Sequence, residues 1–143
     1  MLKLFSVFLL TLSPMIFMAQ PPAKGPLDKK TFTVTIYKEG KKNPYDQDEL
    51  KFNTGKFKSV FFADWGFTKA SIYQIISVDS TSSPTKIYSW TAETISDIKE
   101  KMMWSGIITG EDIEGTSEVV NAKGETKYSF TFTGKLKKKP RKK

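Results

Sequence analysis

The chain has 143 residues, no histidine and no cysteine, with 23 Lys and Arg against 15 Asp and Glu and a formal net charge of +8. That length suits one domain. The missing side chains exclude a Ser-His-Asp triad, a thiol nucleophile and the usual zinc or copper ligand sets, which leaves only carboxylate chemistry for catalysis.

Residues 1–20 (MLKLFSVFLLTLSPMIFMAQ) carry one early Lys, an apolar run over 4–12, a Ser13-Pro14 break and then Ala19-Gln20. That order reads as a secretory signal peptide, residues 1–19, cut after Ala19, with a retained N-terminal anchor as the alternative. The run is too short to span a bilayer as a helix. No transmembrane segment is expected after cleavage, and the expected destination is the periplasm or the exterior. Residues 20–26 form a Pro-rich linker, 27–136 the folded domain and 137–143 a basic, disordered tail. The fifteen acidic residues all lie between Asp28 and Glu125 and balance the basic ones of the body, so the charge excess sits in the last nine residues, KLKKKPRKK.

From residue 31 onward, alternating segments are separated by turn signals. The first is 31–37, with Phe32, Val34 and Ile36 on one face and threonines on the other. Residues 48–53 and 56–62 follow, joined at Thr54-Gly55, a turn that sets Phe52 opposite Phe57. Strands are then predicted over 69–78, 85–94, 100–109, 112–121 and 125–136, with Gly124 left-handed in the last hairpin. Residues 94–102 have some helical character but read as a loop leading into the sixth strand. Gly110-Glu111 suits a Gly-first hairpin turn. That register pairs Thr109 with Asp112, Ile108 with Ile113, Gly106 with Gly115 and Trp104 with Ser117. The glycines allow the strands to coil and leave a dent on the inner wall, which Trp104 or Phe130 is expected to cover. The alternative is a dent kept for a ligand.

Eight antiparallel strands joined in sequence predict an all-β, up-and-down barrel, with a two-layer sandwich as the alternative. The segment W-x-G-x-I-x-G-x-x-I-x-G-T over 104–116 and the closing YSFTFTGKL resemble small secreted bacterial barrels of the lipocalin-like (calycin) type. The resemblance covers 27–136 and implies an up-and-down barrel fold. The Gly-x-Trp signature of classical lipocalins is absent, and LDKKTFTVTIY stands in its place. No ligand residue of that family, or of avidin-like barrels, is therefore carried over.

The first, third, fifth and seventh connections gather at one end of such a barrel and include the longer loops. That end is the candidate mouth, with Tyr45, Trp65 and Phe67 as candidate contacts for a small apolar ligand and Trp104, Gly106 and Gly115 below them. The alternative is that Trp65 and Phe67 fold inward as a plug. Inward positions include Phe32, Phe52, Phe57, Phe61, Trp90, Trp104, Tyr128, Phe130 and Phe132, a load of rings that points to a mostly filled interior.

Lys137, Lys138, Lys139, Arg141, Lys142 and Lys143 are candidate polyanion contacts, directed at anionic envelope surfaces and not at a specific nucleic-acid sequence. A solubilising tail is the alternative. Asp46, Asp48 and Glu49, and Glu111, Asp112 and Glu114, read as solvated charges. No enzyme activity, metal or cofactor is expected. The two functional readings are a barrel that binds a small apolar ligand at its mouth and a cell-envelope interaction protein with a solid barrel.

Overall fold

The computed structural model describes residues 25–81 and 85–141. The expected signal peptide and most of the linker lie outside the described residues. Eight strands run in order β1 (Lys30–Lys38), β2 (Asp46–Asn53), β3 (Lys56–Ser59), β4 (Ser71–Asp79), β5 (Ile87–Ile95), β6 (Lys101–Thr109), β7 (Asp112–Val120) and β8 (Thr126–Leu136). Each pairs antiparallel with its sequence neighbour, and β1 pairs with β8, so the sheet closes into a barrel. No edge row is left along the β8–β1 junction, and the sandwich alternative falls away.

The local chemistry explains the turns. Thr54 and Gly55 both take positive φ, and the hairpin they make sets Phe52 opposite Phe57. At 110–111 only Gly110 is left-handed, as a Gly-first turn requires. The β6–β7 register then pairs Gly106 with Gly115, Trp104 with Ser117 and Ile108 with Ile113. Registered partners followed from Lys38 through Phe130, Ser117, Trp104, Ala92 and Tyr73 return to β1 near its start. The stagger is about ten residues, which suits strands tilted by roughly 35–45°.

The inward face is mostly apolar, with the strands alternating buried and exposed positions. Strand β6 shows this, alternating exposed Lys101, Met103, Ser105 and Ile107 with buried Met102, Trp104, Gly106 and Ile108. The interior rings form one contact network. Trp90 lies 4.9 Å from Phe52 and 5.1 Å from Phe57, and Trp104 lies 5.0 Å from Phe57.

The two wall glycines are covered, but not by Trp104 or Phe130. Gly106 stands in register with Trp90 on β5, and Gly115 with Phe132 on β8. A Cβ on Gly106 would come within 2.8 Å of Trp90 Nε1, and one on Gly115 within 2.6 Å of Phe132 Cζ. Directly opposed residues meet across a sheet more closely than diagonal ones such as Phe130, or residues of the same strand such as Trp104. Each ring therefore comes from the outer neighbour of the β6–β7 hairpin.

The third strand is shorter than the predicted 56–62. It stops at Ser59, and Phe61–Trp65 form a 3-10 helix ended by left-handed Gly66. This change of period buries Phe62 fully and leaves Phe61, predicted inward, only partly buried. Tyr128, also predicted inward, is 43% exposed. It stands at the mouth end of β8, above the packed layers, where its ring stacks 6.3 Å from Phe130.

Strand β3 meets β4 in only two registered pairs, Lys56 with Ile72 and Phe57 with Ser71. Side-chain bonds brace this seam. Gly55 N and Tyr73 OH both donate to Asp28 Oδ1 at 2.9 Å, and Leu27 N donates to Tyr73 OH at 3.2 Å. Leu27 is fully buried and closes the end opposite the mouth. Burial, and then the bond to Asp28, push the Tyr73 phenol upward in pKa, so it remains a donor.

Gly115→Ala is expected to destabilise the barrel by about 1–3 kcal/mol in urea unfolding, because backbone atoms Ser105 O and Gly106 Cα stand within 2.2 and 2.7 Å of the new methyl. Gly40→Ala, in a mouth loop with nothing within 4 Å, should cost only its positive-φ penalty, about 1 kcal/mol. Equal costs at the two sites would refute the packing account of Gly115.

Candidate functional site

Two regions collect the candidate residues, the mouth and the basic wall at the C-terminus. At the mouth, the 3-10 helix lies across the barrel end. Phe62 reaches down to 5.7 Å from Trp104 and 5.2 Å from Phe130, and Trp65 packs 5.0 Å from Phe62 and 5.3 Å from Tyr128. Phe67 is 3% exposed. Of the three predicted mouth contacts, Tyr45 keeps the most surface, 38%; its ring leans on Phe130 and Phe61, with Lys38 Nζ 4.7 Å above it.

The structure thus brings Tyr45 and Trp65 together around Phe130. Trp104, Gly106 and Gly115 lie deeper, in the packed interior. Gly106 and Gly115 border the wall under Trp90 and Phe132, so their dent is occupied by the protein's own rings. Trp90 Nε1, Trp104 Nε1 and Ser117 Oγ are buried with no hydrogen-bond partner among the described residues, a cost that ring packing must offset.

The plug is anchored by a carboxylate that the sequence pattern presents as an ordinary loop charge. Asp48 sits on the inward face of β2 and is 4% exposed. Its Oδ1 accepts from Phe61 N at 2.8 Å, and its Oδ2 accepts from Ser59 Oγ, which in turn accepts from Phe62 N at 3.1 Å. The first free N–H groups of the 3-10 helix are therefore met by Asp48 and Ser59. Burial raises the Asp48 pKa above the ordinary 3.8, against the lowering effect of these hydrogen bonds.

The second region lies on the outside of β1–β3. Lys137 N donates to Thr31 O at 2.7 Å, which carries the β8–β1 ladder one residue past Leu136. Lys137 Nζ meets Glu49 Oε1 at 2.6 Å, and this bond holds the Glu49 carboxyl below its usual pKa. Lys138 meets Glu111 at 3.8 Å, and Lys135 meets Asp112 at 3.4 Å. Lys139 and Arg141 are exposed, and Lys142 and Lys143 lie outside the described residues. A cleft of about 220 Å3 opens between the wall and the tail, lined by Lys29, Thr31, Glu49, Lys51 and the lysines at 137–139.

Lys29 and Lys51 did not stand out in the sequence because each is separated from the tail along the chain. The signal was nevertheless present, since the turn that pairs Phe52 with Phe57 also pairs Lys51 with Lys58. Among the described residues no three Asp or Glu side chains gather as a metal site would require. Comparison with protein-family models, curated proteins and solved structures finds no match for this chain.

The raised pKa of Asp48 makes the stability of the barrel depend on pH. A carboxyl with a raised folded-state pKa binds its proton more tightly when folded, so stability rises as pH falls from the raised value towards 3.8. Asp48→Asn keeps an acceptor for Phe61 N and has no charge to titrate. In urea unfolding at a series of pH values, the wild type should gain stability relative to Asp48→Asn as pH falls through that window and show a constant difference above it. The opposite trend would mean that hydrogen bonds, not burial, dominate at Asp48.

Proposed function

We propose that this protein is an exported barrel that works through its outer surface, meeting an anionic partner in the cell envelope by its basic C-terminal strip. The observation that carries the reading is the filling of the interior. Phe32, Phe52, Phe57, Phe62, Trp90, Phe130 and Phe132 are each at most 1% exposed, so the space in which a calycin-type barrel would hold a ligand is taken by side chains. Kinship with lipocalin-like barrels is part of the proposal, supported by the up-and-down strand order and closed ladder.

The rival reading places a small apolar ligand at the mouth against Tyr45, Trp65 and Phe67. Phe67 is buried and Trp65 is engaged by Phe62 and Tyr128, so that ligand would have to displace the plug. The basic strip needs no such rearrangement. Lys139 and Arg141 already face solvent, and the ion pairs of Lys137 and Lys138 are surface pairs of the kind that exchange readily for another anion.

Truncation after Lys137 tests the reading and keeps the last ladder bond. The full chain should be retained on a phosphorylated cation-exchange matrix at ~0.15 M salt, and the truncated chain should elute, because the contact is counter-ion exchange at short screening length. Equal retention would refute the assignment of the tail.

A further inference from the structure

Lys51 on β2 and Lys58 on β3 are directly opposed partners, both on the outward face. Like charges facing each other across an antiparallel pair destabilise it. Among the described residues the ion pairs on this side of the barrel engage Lys137 and Lys138, and neither Lys51 nor Lys58 is in one. Beside Lys51 on the other flank stands Thr31, whose carbonyl holds the backbone of Lys137. The wall and the tail thus gather Lys29, Lys51 and the lysines at 137–139 around one cleft, with Lys58 next in the lateral row. Around the cleft five lysines stand against the single carboxylate of Glu49, an excess of positive charge.

One anion already sits in the cleft. The Glu49 carboxylate, two residues before Lys51 on the same face, accepts from Lys137 Nζ at 2.6 Å. It marks where an oxyanion fits, and it partly neutralises the cluster. Lysine ammonium groups bind phosphate as compact point charges, so a cluster of them can hold a multiply charged oxyanion without the planar fork of arginine.

We propose that this cleft is a phosphate-binding cradle, in which Lys29, Lys51 and the lysines at 137–139 hold a phosphate group, Lys58 adds charge behind Lys51, and Glu49 is the internal anion that the phosphate displaces from Lys137. The proposal rests on the reading of the outer surface as the working part of the protein. It deepens that reading by placing the specificity on the folded wall, where the tail supplies only part of the charge. The phosphate belongs either to a lipid headgroup or to a free or polymeric phosphate.

The test uses the chain with its tail intact. Inorganic tripolyphosphate is titrated calorimetrically, and vesicles of phosphatidylcholine with and without phosphatidylglycerol are co-sedimented with the protein. Lys51→Gln combined with Lys58→Gln should weaken binding by about tenfold, the effect of losing one charge-assisted contact and its neighbour. Lys41→Gln combined with Lys123→Gln removes the same charge at the mouth and should change binding less than about twofold. Glu49→Gln should tighten binding, whereas Glu114→Gln on β7, an equal change of net charge, should not. Thermal unfolding of each variant checks the fold, and the Lys51/Lys58 variant should be no less stable than wild type.

Binding confined to phosphatidylglycerol vesicles assigns the headgroup, and binding to tripolyphosphate assigns free or polymeric phosphate. Binding to neither probe overturns the cradle. So does an equal loss in the wall and mouth variants, or equal effects of Glu49→Gln and Glu114→Gln. If truncation after Lys137 abolishes matrix retention while the wall variants behave like the mouth variants, the outer-surface reading stands and the cradle alone falls. If truncation is silent as well, both fall.

Discussion

The constraint on which this structure depends is the close approach of β6 and β7 at Gly106 and Gly115. A side chain at Gly106 would strike the Trp90 ring and the Glu114 carbonyl, and one at Gly115 would strike Phe132 and, more closely still, the Ser105 carbonyl. The missing side chains bring the rings of the flanking strands into the wall, and closure and filling of the barrel are therefore one event. A staggered cylinder of eight strands is just wide enough for its own side chains. Here the side chains are mainly Phe and Trp, so little volume is left for a guest.

Filling the interior directs attention to the ends and the outer wall, and β2 and β3 link the two. Along β2, Asp48, Leu50 and Phe52 point inward while Glu49 and Lys51 are outward. Asp48 holds the helix that plugs the mouth, and Glu49 and Lys51 face the tail. The short β3 allows this arrangement. Ending at Ser59, it frees the chain to turn across the barrel end, and it leaves a narrow junction with β4 that Asp28 and Tyr73 brace.

Much of the fold was legible in the sequence because strand alternation and two-residue turns are local signals. Placing Gly110-Glu111 as the turn was enough to derive the pairing of Gly106 with Gly115 and of Trp104 with Ser117, and the Thr54-Gly55 turn derived Phe52 with Phe57. The rings over the glycines were not legible, since Trp90 and Phe132 come from the next strands and their position needs two further registers. Alternation continued through Val60 points Phe61 inward, but the chain turns helical at Phe61 and the pattern no longer applies. Nothing in VFFADW (60–65) breaks the pattern until Gly66. Asp48 was hidden by its neighbours, as Asp46 and Glu49 made it look like part of a solvated cluster. The charge of the tail was evident from composition. Its lysine partners on the wall required the sheet register to be read for outward residues as carefully as for inward ones.

The most direct measurement on the central claim, a filled interior with function on the outside, is titration with an environment-sensitive fluorescent fatty acid while the emission of the three tryptophans is followed. The account predicts no saturable binding that unlabelled fatty acid displaces, and unchanged tryptophan emission. Saturable, displaceable binding that quenches the tryptophans would contradict it, because a guest could reach Trp90 and Trp104 only if the rings now packed around them made room.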